Sequence, residues 1–160
     1  MAEMRGEARA RARSIARLAA VQALYQMDIA GTDLADILSG EGPGAAVRAG
    51  DDEEDAGPDF AAADRDHFRD VVAGVVGAQA TLDPMIDDAL AEGWSLTRID
   101  ATLRAILRAG AYELSARHDV PFKTVINEYV DLAHAFFSSA EPGVVNGVLD
   151  RLARACRGAA

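Results

Sequence analysis

The sequence predicts an all-α protein, and three observations carry that expectation. Alanine, leucine, arginine and the acids dominate the composition, with aromatics at 6%, a balance that favours helix over sheet. Apolar residues recur at three- and four-residue intervals along most of the chain, which is the period of a helix face. No segment shows period-two alternation bounded by turns. At 160 residues the chain is long enough for one domain, 1–160, to bury a core without disulfides or metal. The expected architecture is a compact helical bundle with short connections in its C-terminal half.

Each element has its own signal. Residues 8–30 read as one amphipathic helix, with Ile15, Leu18, Gln22, Tyr25 and Ile29 as the inward stripe, widened by Val21 and Leu24. Thr32 to Leu38 is a candidate short helix. Residues 39–58 are rich in glycine and proline and contain Asp51-Asp52-Glu53-Glu54-Asp55. Without an apolar period they read as an acidic, flexible insertion. A long helix is expected over 63–81, with Phe68, Val71, Val72, Val75 and Val76 facing inward. Asp83-Pro84 reads as an N-cap followed by proline at the first helical position, opening a further helix to Glu92 that Gly93 ends.

From Leu96 to Arg117, a sustained inward face runs through Ile99, Leu103, Ile106, Leu107, Gly110 and Leu114. Gly110 costs helix propensity there, and its use is close approach to a neighbouring helix. Asp119-Val120-Pro121 breaks the chain between helices, because the residue before proline resists helical geometry. Phe122, Val125, Ile126, Tyr129, Ala133 and Phe136 mark the next helix, and Val145, Val148, Leu149 and Leu152 the last. Asn127, a weak helix former, calls for a fixed hydrogen-bond partner in mid-helix. Gly147, in Asn146-Gly147, reads as a second place of close packing.

The residue inventory argues against an enzyme. His67, His118 and His134 lie on three separate segments, and Cys156 is the one cysteine. None has a neighbour at metal-ligand spacing, so no metal is expected. There is no phosphate-binding glycine loop and no G-x-S-x-G elbow, and no cofactor is implied. No apolar run approaches the roughly 20 residues that span a bilayer. Arg13 and Arg17 interrupt any apolar signal core, and a single cysteine fits a reducing compartment. The expected location is the cytoplasm.

Charge is distributed unevenly. The net charge is −10, yet the first seventeen residues carry Arg5, Arg9, Arg11, Arg13 and Arg17 against only Glu3 and Glu7. Cations near a helix N-terminus oppose the helix dipole, and Arg13 and Arg17 at i, i+4 repel. A cluster that works against local stability reads as a binding element, and arginine suits RNA because its planar fork grips phosphate and stacks on bases. Phe136 fits the inward register of its helix. Phe137, offset by one residue, is the one expected to be partly exposed and free to stack.

Read in order, these peculiarities resemble the NusB family of bacterial transcription antitermination factors. The matching strings are Ala20-Val21-Gln22-Ala23-Leu24-Tyr25 after the arginine-rich lead, then Phe68-Arg69-Asp70 running into Ala73-Gly74-Val75. The block that follows comprises Ile106-Leu107-Arg108, Ala111-Tyr112-Glu113-Leu114, Asp119-Val120-Pro121 and Val125-Ile126-Asn127-Glu128, closing with Val145-Asn146-Gly147-Val148-Leu149-Asp150. The resemblance implies two small helical subdomains packed together and a non-enzymatic role. Proteins of this family pair with a small-subunit ribosomal protein (NusE), and the pair binds boxA of nascent ribosomal RNA and helps RNA polymerase resist termination. Some members form homodimers.

Carried over by position, Arg13 and Arg17 match the arginine-rich RNA-binding segment, with Arg9 and Arg11 just upstream. Phe136 matches an aromatic near the RNA surface, and Tyr25 lies close to the partner-protein face. Leu103 stands where the family often has an acid facing the ribosomal protein, and Asp100, one turn earlier, is the candidate replacement. Two alternatives remain. One is the NusB-like module of a ribosomal RNA methyltransferase system, for which these residues hold no cofactor-binding sheet. The other is a protein-interaction bundle without RNA binding.

Overall fold

The computed structural model describes residues 2–39 and 64–158. Among them are six helices: α1 (Ala2–Ala30), α2 (Leu34–Ser39), α3 (Arg65–Ala89), α4 (Ala101–Ala116), α5 (Phe122–Phe136) and α6 (Glu141–Arg157). The all-α expectation holds. The acidic insertion expected over 39–58 lies outside the described residues except for Ser39, which closes α2. The chain divides into two compact units, Met1–Ala73 and Gly74–Ala160, with the boundary inside α3.

In the first unit, α1 buries Ala16, Ala19, Ala20, Val21, Ala23 and Leu24. This face lies about 160° round the helix from the stripe expected from bulky residues. Ile15, Leu18 and Gln22 are only half-buried, and Tyr25 and Ile29 are exposed. Small side chains let α1 sit close to its neighbours, and the larger ones lie on the other side. Gly31, at φ 68°, closes the helix with its N–H on the Met27 carbonyl at 3.0 Å, the usual left-handed stop. Asp64 heads α3. Its Oδ1 accepts from the His67 N–H at 2.9 Å, and its own N–H donates to the Ala12 carbonyl at 3.0 Å.

In the second unit, α4, α5 and α6 pack on one another. Gly110 permits this, since a Cβ there would meet the Leu149 methyls at 2.8 and 2.9 Å. Arg108 makes a bidentate pair with Asp83, both contacts 2.9 Å, joining α4 to α3. The Tyr129 hydroxyl donates to the fully buried Glu113 carboxylate. Arg157 reaches back from α6 to the end of α4. Its guanidinium donates to the carbonyls of Leu114 (2.9 Å), Val120 (2.6 Å), Glu113 (3.0 Å) and Arg117 (2.8 Å), gathering four acceptors at and just beyond the helix end.

Four expectations are corrected. Helix α3 does not break at Asp83-Pro84 but runs through Pro84 to Ala89. Asp83 cannot act as a cap because Arg108 holds its carboxylate, and burial of Leu82 and Ile86 offsets the ~3 kcal/mol that an internal proline costs. Helix α4 starts at Ala101 instead of Leu96, because Asp100 caps it, accepting from the Thr102 N–H at 2.7 Å. Asn127 is exposed and needs no buried partner. A Cβ at Gly147 would meet only Arg151, at 3.7 Å, so that glycine marks no close packing.

Gly74 is the tight place that spacing did not single out. A Cβ there would fall 2.1 Å from the Tyr112 ring. Gly74→Ala is therefore expected to destabilise the protein by about 1–3 kcal/mol through overpacking. Gly77→Ala, where nothing lies within 4 Å, should gain up to ~1 kcal/mol of helix propensity. Thermal denaturation of the two variants checks the pair: Tm falls in the first and holds or rises in the second.

Candidate nucleic-acid interface

Helix α1 brings the sequence-predicted arginines together, but on unequal terms. Arg5, Arg9 and Arg11 are exposed, Arg13 is half-buried and Arg17 is 2% exposed. The expectation that all of them project from the helix is thus corrected at Arg17. Its position is in register with Ala16 and Ala20 on the covered face, and its side chain has a partner within the fold. Arg13 is partly spoken for as well, with Nε 3.5 Å from Asp64 Oδ2. The cations available to a ligand are therefore those of the first three turns.

The same helix carries a second kind of surface at its other end. Tyr25 is 40% exposed and Ile29 61%, beside the half-buried Leu18 and Gln22. From Arg9 to Tyr25 the helix rises about 24 Å. One continuous element thus separates an arginine end from an apolar end by a fixed span. Spacing places Ile29 on the inward stripe, since periodicity alone does not say which side of the helix is covered.

The remaining candidates belong to the second unit. Phe136, the last residue of α5, is 43% exposed. Phe137 is the better covered of the two, because the chain leaves the helix there in an extended conformation, φ −133° and ψ 143°. The core reading of Phe136 is thereby corrected. Asp100 is exposed, with its carboxylate engaged on the Thr102 amide. Leu103 is 1% exposed, a core side chain that offers no surface in this state.

Burial pushes the Cys156 thiol up from its usual range, with the Arg157 charge pulling weakly the other way, so the thiol stays protonated at neutral pH. Among the described residues no three His, Cys, Asp or Glu side chains gather as metal ligands. No described helix is long and apolar enough to cross a membrane.

Exposure separates structural from available arginines by a measurable criterion. Arg17→Ala should lower stability by about 2–5 kcal/mol, the range for truncating a large buried side chain. Arg9→Ala should stay within about 0.5 kcal/mol, as an exposed substitution does. Urea denaturation of both variants reads this directly.

Comparison with known proteins meets this geometry from another side. Residues 14–154 match the model of the NusB family. Transcription antitermination protein NusB of Brucella ovis is 55% identical over 146 residues, which are 91% of this chain and 82% of that one. The protein of the same name from Rhodopseudomonas palustris is 53% identical over 153 residues, 96% of this chain and 88% of that one. Among solved structures, NusB of T. maritima superposes with a TM-score of 0.69 at 28% identity, over 89% of this chain and 90% of its own. Matched over most of its length in sequence and in fold, the chain belongs to the NusB family.

Proposed function

We propose that this protein is a non-catalytic RNA-binding adaptor of transcription antitermination. It pairs with a small-subunit ribosomal protein (NusE) and, with it, binds boxA-type single-stranded RNA, helping RNA polymerase in the cytoplasm resist termination. The observation that carries the reading is the division of α1 into an exposed arginine end and an exposed apolar end bearing Tyr25 and Ile29. Family membership supports it, since relatives more than half identical carry the name transcription antitermination protein.

The physical roles follow from residue type. Arginines at the head of α1 supply phosphate contacts, which give affinity and position but little sequence information. Phe136 gives the second unit an exposed ring on which an unstacked base can lie. With a net charge of −10, the isolated protein repels a polyanion at long range, and a basic partner docked on the apolar end of α1 offsets that repulsion.

Titration of labelled boxA-type RNA and a scrambled control, with and without the ribosomal protein, at two salt concentrations, tests the reading. Preference for boxA that tightens when the partner is added, and weakens with salt, is the expected result. Partner binding without any RNA preference would leave a protein-interaction bundle instead.

A further inference from the structure

Arg5, Arg9, Arg13 and Arg17 follow one another at intervals of four residues. Helix α1 begins at Ala2, so all four lie on helical backbone and form one row. Each step rises about 6 Å and turns about 40° around the axis. Burial grades along the row: Arg17 is covered, Arg13 is half-covered and paired with Asp64, and Arg9 and Arg5 are exposed. The row is anchored at one end and open at the other.

The opposite side of the same turns is different in charge. Arg11 lies about 160° from both Arg9 and Arg13. It shares its face with Glu7, four residues earlier, and Glu3 stands four residues before that. An acid four residues ahead of a base is the favourable order for mutual compensation. The face through Arg5, Arg9 and Arg13 contains no acid within the helix's first three turns. Of the three exposed arginines, only two therefore belong to an uncompensated positive strip. The family match opens at residue 14, so this strip precedes the part of the chain that the family model covers.

We propose that Arg5 and Arg9, with Arg13 at their base, form a phosphate-binding row that extends RNA contact along α1 ahead of the family-matched core, and that Arg11 is not part of it. The proposal rests on the RNA-binding reading above and sharpens it: Arg5 enters as a contact, and Arg11 leaves. The 6 Å step is on the scale of the distance between successive phosphates of a single strand. The ligand is thus a phosphodiester backbone running along the helix axis. Contacts of this kind are indifferent to base identity.

The test compares Arg5→Gln with Arg11→Gln in the complex with the ribosomal protein. Both remove one positive charge from an exposed position six residues apart on one helix, so bulk electrostatics change equally. For Arg5→Gln, the expected result is about tenfold weaker binding at low salt. The slope of log K against log salt should fall by ~0.7, the value of one phosphate on a single strand. BoxA-type and scrambled RNA should be affected alike, leaving their ratio unchanged. Arg11→Gln should leave affinity and slope close to the unsubstituted values. Equal losses in the two variants would overturn the row in favour of diffuse charge, and an unchanged Arg5→Gln would remove Arg5 from the interface. Failure of the unsubstituted complex to bind either RNA would defeat the RNA-binding reading itself, and the row with it. Unchanged Tm in both variants separates these effects from folding.

Discussion

The arrangement of the first unit depends on one residue, Asp64. Its amide holds the Ala12 carbonyl, its carboxylate caps α3 through His67 and pairs with Arg13, and its own carbonyl accepts from Phe68 at 3.0 Å. These contacts fix the point along α1 at which cover begins. Side chains of residues 5–11 are exposed, and from Ala16 to Leu24 one face of the helix is packed. The His67 amide gives the carboxylate its directional contact, and the Arg13 guanidinium at 3.5 Å adds charge proximity.

Arginine does two unlike jobs in this protein, and burial decides which. In the second unit it serves as a carbonyl clamp. Arg104 Nη1 donates to Leu96 and Ile99 at 2.8 and 3.2 Å, Arg151 to Ala89 at 2.7 Å, and Arg157 to four carbonyls at once. Each gathers carbonyls at a helix end or turn, and the planar fork suits several acceptors in one place. At the head of α1 the same residue type meets no such acceptors. Its charge is left to water and to whatever anion arrives.

Much of the fold was legible because helix periodicity is a local property. The positions of α5 and α6 and the C-terminal end of α1 follow from spacing, as does the need for glycine at residue 110; α1 starts at Ala2, six residues ahead of where its apolar period sets in. What spacing left open depends on partners distant in the chain. Bulk pointed to Ile15, Leu18 and Tyr25 as the inward stripe of α1, but the alanines on the nearly opposite side allow the closer approach and take the covered side. Asp83-Pro84 has the chemistry of a helix start, and only Arg108, 25 residues away, converts it into the middle of one. The candidate interface was legible as a cluster of arginines and illegible in its members. Charge shows in the sequence, but whether a guanidinium is covered, as at Arg17, is set by what packs over it. The four-residue recurrence from Arg5 was the available signal for the row, and it needed a helix known to start at Ala2 to become a face.

The Arg157 clamp also imposes an order in time. Its nearest long-range acceptors lie up to 44 residues earlier, and a ribosome adding about 5–20 residues per second makes Glu113 roughly 2–9 s before Arg157. For that interval the corner between α4 and α5 exists in the chain without the guanidinium that it binds in the folded protein. The arginine-bearing helix and its Asp64 latch have been synthesised well before then. The second unit thus owes the finish of an early corner to a side chain that its last helix supplies.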